Sequence, residues 1–253
     1  MEVVLSIKLS HSVAVCLLLL LLSAGLHAQT PAEQARAEVE AAIHLTPDVE
    51  RGKKAFMVCA VCHRPEGWGF EDGTYPQIAG QLPAVIIKQL ADIRARNRDN
   101  PTMLPFTSPQ LLGGVQEIAD VAAYISQLPM DPMNGVGPGV DLAWGEQVYR
   151  ENCVDCHGDR GQGDATDHIP LIYGQHYRYL YRQFEWIKMG KRRNSDQKMV
   201  KQIQRFSPRD ISAVLDYVSR LRPPAEKLAQ PGWQNPDFPN YSRAPIPAPP
   251  RRW

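Results

Sequence analysis

Apolar residues recur along most of this chain at the spacing of α-helices. Between residues 84 and 96, Val85, Ile86, Leu90 and Ile93 fall on one side of a helix with about 3.6 residues per turn. No segment alternates apolar and polar residues in the way that a half-buried strand requires. The pattern therefore predicts an all-α protein.

Six main helices are predicted, in two sets of three. The first set covers about 48–59, 84–96 and 118–128, and the second covers about 141–153, 177–189 and 211–221. Ser207 and Pro208 supply an N-cap and a first-turn proline for the last helix. Each set is long enough to surround one small core.

The two sets are copies of one unit. A shift of 94 positions superposes a series of identical residues: Cys59 on Cys153, Pro76 on Pro170, Gly80-Gln81 on Gly174-Gln175, and Gln89 on Gln183. We therefore expect two tandem domains, 48–129 and 141–222, joined by a linker rich in Pro and Gly at 130–140. A leader at 29–47 and a Pro-rich tail at 223–253 lie outside them, and the tail is expected to pack loosely or not at all.

Residues 1–28 have the pattern of a secretory signal peptide, with Lys8 before an apolar run at 13–22 and Ala28 as the cleavage site. The alternatives are cleavage after Gly25 and retention as a membrane anchor, but the run is shorter than the roughly 20 residues of a spanning helix. We expect a periplasmic protein. Its formal net charge of +1 argues against nucleic-acid binding, which requires a strongly basic face.

Four of the five cysteines fall in two motifs of identical spacing, Cys59-Ala-Val-Cys62-His63 and Cys153-Val-Asp-Cys156-His157. Residues three and four apart share a helix face, so the two thiols reach the vinyl groups of a porphyrin while the imidazole reaches its iron. The alternatives are a disulfide, a thioredoxin-like redox pair and half a zinc site. The sequence shows no βαβ pattern, which argues against a thioredoxin-like pair. A zinc site would need further cysteines, but the one remaining cysteine, Cys16, lies in the signal segment. The motifs therefore predict two covalently bound haem c groups, with thioether links from all four cysteines and with His63 and His157 as iron ligands.

Each iron needs a sixth ligand, and methionines in the loops before the closing helices are the best candidates. Met103 occupies this loop in the first unit and Met199 in the second, where Met189 is the alternative. Six further candidates are less suitable, because they lie too near a motif, beyond a closing helix, or at surface and loop positions: Met57, Met130, Met133, His44, His168 and His176. An iron held by His and Met is closed to further ligands, which favours electron transfer over oxygen or peroxide chemistry.

These residues closely resemble the class I cytochromes c and, in duplicated form, the dihaem cytochrome c4 family. The resemblance spans about 48–221 and includes Pro76-x-x-x-Gly80-Gln81, Pro170-x-x-x-Gly174-Gln175, Gln89-Leu90, Gln183-Phe184, Tyr124-Ile125 and Tyr217-Val218. It implies that a backbone carbonyl of the loop at Pro76 or Pro170 accepts a hydrogen bond from the second ring nitrogen of the motif histidine. A plain loop proline is the alternative. It also implies that the first helix of each unit crosses the last at a glycine, Gly52 or Gly145.

The resemblance implies a carrier of single electrons that turns over no substrate. The donor would be a quinol-oxidising complex or a periplasmic dehydrogenase, and the acceptor a terminal oxidase. One alternative is a catalytic or electron-accepting subunit, such as a dihaem thiosulfate dehydrogenase or a peroxidase. Another is a docking module that the tail at 223–253 tethers to a membrane-associated complex. A basic run at 188–193 is expected either to steer an acidic partner to the second haem or to be a solvated face.

Overall fold

A computed structural model describes residues 28–243 of the chain. The predicted signal peptide, apart from Ala28, and residues 244–253 of the tail lie outside the described residues. Over 28–243 the regular structure is helical, with two isolated bridges and no strand, which confirms the all-α prediction. No helix in that range has the length and apolar character needed to cross a membrane.

The α-helices are labelled in chain order: α1 (Pro31–Ile43), α2 (Val49–His63), α3 (Pro83–Arg94), α4 (Val115–Gln127), α5 (Leu142–Asn152), α6 (Val154–His157), α7 (Tyr177–Lys188), α8 (Gln197–Ile203) and α9 (Pro208–Ser219). Short 3-10 helices lie at Leu104–Thr107 and Ala225–Lys227. All six predicted helices are present, although the one leading into the second motif is divided into α5 and α6. The periodicity did not predict α1 and α8.

Capping side chains determine where the first helix of the first domain and the last helix of the second domain begin. The Asp48 carboxylate accepts the Arg51 N–H at 3.1 Å and starts α2. In α9 the Ser207 hydroxyl and the Asp210 carboxylate cap each other's backbone N–H, and Pro208 occupies the first helical position. These are the local signals that the sequence pattern predicted for this last helix.

The first and last main helices of each domain cross at a glycine. A Cβ atom added to Gly52 would lie 2.1 Å from the Asp120 carbonyl oxygen, and one added to Gly145 would lie 2.1 Å from that of Ala213. No side chain fits at either crossing, so glycine is required for the helices to touch. Aromatic rings pack beside the crossings, with centroid distances of 5.2 Å for Phe56–Tyr124 and 5.6 Å for Tyr149–Tyr217.

The leader forms a helix that packs on the first domain. Helix α1 buries Ala35, Val39 and Ala42 against α3 and α4. The Glu38 carboxylate pairs with the Arg94 guanidinium at 2.5 Å, and both side chains are largely buried. The first domain therefore carries an additional helix, and within residues 28–243 the second domain has no equivalent of it.

The tail contradicts the expectation of loose packing, because residues 228–243 lie along the surface of the first domain. We call this segment the strap. It begins at a parallel bridge in which the Met130 carbonyl accepts the Ala229 N–H at 2.9 Å. Trp233 then packs on Trp68 with ring centroids 5.8 Å apart. Phe238 is 5 % exposed and adds its ring to the aromatic pair at the α2–α4 crossing.

Buried polar contacts also hold the strap. The Asn235 side chain donates to the Pro65 carbonyl oxygen at 2.6 Å and to the Tyr124 hydroxyl at 2.9 Å. The Arg243 guanidinium pairs with the Glu66 carboxylate at 2.7 Å, with only 11 % and 2 % of the two side chains exposed. The high Pro content predicted extended chain, but the anchoring side chains between the prolines fix that chain in place.

Candidate functional site

Helices α2 and α6 end in the two cysteine motifs and place their functional side chains. All four motif thiols are free of disulfides. Burial, with a smaller contribution from Cys62, raises the pKa of Cys59 to about 12. Burial, followed by Cys156, raises the pKa of Cys153 to about 12. Thiols with such high pKa values lack the thiolate needed for a thioredoxin-like reaction.

His63 is buried, and one hydrogen bond sets the orientation of its ring. Its Nδ1 atom lies 3.0 Å from the carbonyl oxygen of Pro76. Because a carbonyl oxygen only accepts, Nδ1 carries the proton and Nε2 keeps its lone pair. Nε2 has no hydrogen-bond partner within residues 28–243. Burial lowers the pKa of His63, against the opposing effect of the Pro76 carbonyl, so the ring is held neutral.

His157 repeats this arrangement in the second domain. Its Nδ1 atom donates to the carbonyl oxygen of Pro170 at 3.1 Å. Burial again lowers the pKa of this histidine and its carbonyl partner again opposes the shift. Both backbone hydrogen bonds implied by the resemblance are therefore present. Each motif histidine presents a neutral, oriented ring with Nε2 available for a metal.

The two candidate methionines lie on different kinds of element. Met103 is the residue before the 3-10 helix Leu104–Thr107 and is half-buried. The expectation of a loop is wrong for Met199, because the Asp196 carboxylate caps a helix there and accepts the Met199 N–H at 3.2 Å. Met199 is half-buried in the first turn of α8, against the core of the second domain. Met189, at the end of α7, is 62 % exposed.

The less suitable candidates lie at exposed, loop and interface positions. Met57 and Met133 are both 54 % exposed, and the exposed His44 is bonded to Glu40. His168 is half-buried in a loop. Met130 and His176 are each 1 % exposed, so His176 is a loop residue, as expected, but at a buried rather than a surface position. Its Nδ1 accepts the Gly135 N–H at 3.0 Å, and its Nε2–H donates to the Trp68 carbonyl oxygen at 2.6 Å.

Two arginines meet at the boundary between the domains without a carboxylate partner in the described chain. Arg98 donates to Gln89 at 2.6 Å and across the boundary to Gln183 at 3.0 Å. Arg192 donates to the same two amide oxygens, at 3.3 Å and 3.2 Å. Burial, followed by the charge of Arg98, lowers the pKa of Arg192 to about 10. In the described chain these two arginines therefore bring positive charge to the boundary without a carboxylate bonded to either of them.

This arrangement changes only part of the expected basic surface at 188–193. Arg192 points into the domain boundary and the Lys188 ammonium donates to the Phe206 carbonyl. Arg193 donates to the Arg96 carbonyl but is exposed, as are Lys191 and the basic residues that follow the run: Lys198, Lys201 and Arg205. The sequence signal for the boundary arginines was present, because Arg98 and Arg192 are 94 positions apart, as are Gln89 and Gln183.

The site residues fit haem c. Each domain offers two thiols on one helix end and a neutral imidazole with a free nitrogen. The boundary offers the buried Arg98 and the half-buried Arg192, two cations that suit a group bringing its own carboxylates, because a buried charge without an ionic partner is costly. Sequence analysis found the thiols and histidines but did not identify the arginines.

Comparisons with known proteins agree with this geometry. The family described as Cytochrome c matches residues 49–129 and 142–222. A cytochrome c4 from Thiocapsa roseopersicina is 32 % identical over 193 residues, which cover 72 % of this chain and 97 % of that protein. A solved structure of reduced cytochrome c4 from Pseudomonas stutzeri superposes with a TM-score of 0.63 at 26 % identity, covering 70 % of this chain and 100 % of that one.

A second solved structure also resembles this chain, but the match covers a smaller part of that second protein. It is a thiosulfate dehydrogenase from Marichromatium purpuratum, with a TM-score of 0.58 and 29 % identity, and the match covers 68 % of this chain and 40 % of that one. The two regions matched by the family leave α1 and the strap outside.

Proposed function

We propose the iron ligands of this chain, which belongs to the cytochrome c family and within it to the dihaem cytochromes c4. The first-domain iron would be held by His63 and Met103. The second-domain iron would be held by His157 and Met199. The protein consists of two tandem cytochrome c domains, carries two covalently bound haem c groups and transfers electrons between redox proteins. The thioether links are assigned to Cys59, Cys62, Cys153 and Cys156.

The observation that carries this assignment is the pair of hydrogen bonds from the motif histidines to Pro76 and Pro170. Each bond holds the proton on Nδ1 and directs Nε2 away from the loop. When bound, haem c supplies an iron that accepts and releases one electron. The chain keeps the ring orientation constant and buried, so the same ligand serves both oxidation states.

Met103 and Met199 are proposed as the sixth ligands because both are half-buried and follow the middle helix of their domain. With both a methionine and a histidine bound, each iron would have no open position for a substrate, which supports an electron carrier. Arg98 and Arg192 are assigned to the carboxylates of the haems. The proposed location is the periplasm, with a quinol-oxidising complex or a dehydrogenase as donor and a terminal oxidase as acceptor.

A redox titration followed by visible spectra tests the ligand assignment. In the oxidised wild-type protein the methionine-to-iron band should have the intensity of two haems. Met103→Ala and Met199→Ala should each remove half of it and lower the potential of one haem. Met189→Ala is the matched control and should leave both spectrum and potentials unchanged. A wild-type band of one-haem intensity would contradict the carrier function.

That outcome would instead favour a catalytic subunit, the candidate supported by the likeness to a thiosulfate dehydrogenase. The docking alternative is weakened, because the aromatic anchors of the strap pack on the protein's own first domain. Residues 244–253 lie outside the described residues. Their deletion should leave partner affinity unchanged if the tail is not a tether.

A further inference from the structure

Two glutamine side chains, one from each domain, form hydrogen bonds to the backbone of the opposite domain. The Gln175 amide accepts the Gln77 backbone N–H at 3.1 Å and donates to the Gln77 carbonyl oxygen at 2.8 Å. The Gln81 amide accepts the Leu171 N–H at 3.1 Å and donates to the Leu171 carbonyl oxygen at 3.0 Å. Gln77 and Leu171 are equivalent positions 94 residues apart. The boundary thus has the reciprocal pattern of an isologous interface.

Each of these backbone N–H groups belongs to the peptide that orients a motif histidine. The Pro76 carbonyl and the Gln77 N–H are the two ends of one peptide group. A continuous series of hydrogen bonds therefore runs from His63 through this peptide to the Gln175 side chain. In the second domain the series runs from His157, through the Pro170–Leu171 peptide, to Gln81. Each histidine is connected to a glutamine of the opposite domain.

We infer that Gln175 and Gln81 are positioning residues, each setting the reduction potential of the haem in the opposite domain. Hydrogen bonds in series polarise one another, so an acceptor on the N–H makes the carbonyl at the other end of the peptide a stronger acceptor. A stronger acceptor increases the electron donation of the imidazole and favours the ferric state, which lowers the potential. This inference rests on the proposed ligation of iron by His63 and His157.

The two series differ in burial. The bridging Gln175 is 8 % exposed, whereas the bridging Gln81 is half-buried. The residues whose N–H groups they accept are both buried, with Gln77 3 % and Leu171 4 % exposed. Hydrogen bonds are electrostatically stronger where water is excluded. The effect of Gln175 on the first haem should therefore be larger than that of Gln81 on the second.

The test is a redox titration of the holoprotein in which NMR signals of haem methyl groups follow each haem separately. Methionine matches the shape of glutamine but lacks its amide. Gln175→Met should raise the potential of the first-domain haem, and Gln81→Met should raise that of the second-domain haem by a smaller amount. A shift confined to the haem of the mutated domain would overturn the inference.

Gln77→Met is the matched control within the same interface. It removes side-chain bonds to the Gly174 carbonyl oxygen at 2.5 Å and to the Asp131 N–H at 2.6 Å, and it keeps the backbone bonds to Gln175. The first-domain haem should keep its wild-type potential. A shift equal to that of Gln175→Met would mean that both variants merely loosen the interface, and would overturn the inference.

Gln175→Glu is the second test variant, to be used if Gln175→Met does not fold. It retains an oxygen for the Gln77 N–H and makes that acceptor stronger, so the potential of the first-domain haem should fall. A rise would refute the inference. Failure of the ligand assignment is distinguishable, because loss of an iron ligand changes the low-spin spectrum, whereas loss of the glutamine changes only the potential.

Discussion

At the scale of single residues, Arg98 and Arg192 have the clearest need for a negatively charged partner. Their charges lie at the domain boundary without a paired carboxylate in the part of the chain that the structure describes, and burial together with the charge of Arg98 lowers the pKa of Arg192. Carboxylates of the haems would satisfy this need. These arginines should therefore affect redox behaviour through charge rather than through iron ligation.

Arg98→Met should lower the potential of at least one haem, because a nearby positive charge favours the ferrous state. It should also make that potential fall as pH rises between about pH 5 and about pH 8, since a carboxylate without its arginine has a raised pKa. Haem-resolved titration at several pH values measures both effects. Arg98→Lys should restore much of the potential, and Arg36→Met, at an exposed position on α1, should change nothing.

The sequence predicted the residues whose role depends on local spacing. Cys59, Cys62 and His63 were identified because neighbours on a helix end must meet one planar group. Gln175 and Arg98 were not assigned a role, because their function depends on how two domains meet. The repeat interval was their only signal, and by itself a repeat does not say which residues face the partner domain.

At the scale of elements, the strap is a stabilising component of the first domain. Phe238 is 5 % exposed in the aromatic cluster at the α2–α4 crossing. Helical periodicity predicted α2, α4 and their crossing. It gave no information about an extended segment, whose position depends on a few anchoring side chains.

Phe238→Ala should reduce the free energy of unfolding of the first domain by about 3 kcal/mol, the usual cost of removing a buried phenylalanine side chain. Denaturant unfolding followed by the absorbance of the two haems should report this loss. Tyr241→Ala is the control, because this aromatic side chain of the same strap is 38 % exposed. Equal losses in both variants would argue that the strap contributes only as a whole.

At the scale of the whole molecule, His176 connects the two domains through a hydrogen bond. It is the N-cap residue of α7 in the second domain and donates to Trp68 of the first. Burial lowers its pKa, and this effect exceeds the raising effects of the Trp68 carbonyl, Asp131, Glu71 and Asp72. Its Nδ1 must stay unprotonated, because it accepts the Gly135 N–H.

The stability of the molecule should therefore depend on the protonation of His176. Below the ordinary histidine pKa of about 6.5, His176 binds a proton in the unfolded chain but stays neutral in the folded one. The free energy of unfolding therefore falls by up to about 1.4 kcal/mol per pH unit as the pH decreases, until the pKa of His176 in the folded protein is reached. Above that range the contribution is constant. Unfolding free energies of wild type and His176→Gln, measured across this range, should differ in slope only below about pH 6.5. His44→Gln, at an exposed site, is the matched control.

Met130 lies where the two domains meet, between equivalent glycines. A Cβ atom on Gly80 would lie 2.6 Å from its Cγ, and one on Gly174 would lie 3.2 Å from its Cε. The glutamine contacts of this boundary come in equivalent pairs, so the loss of one leaves the other in place. Met130 is a single side chain that contacts both glycines, so a substitution there would disturb both halves of the boundary at once.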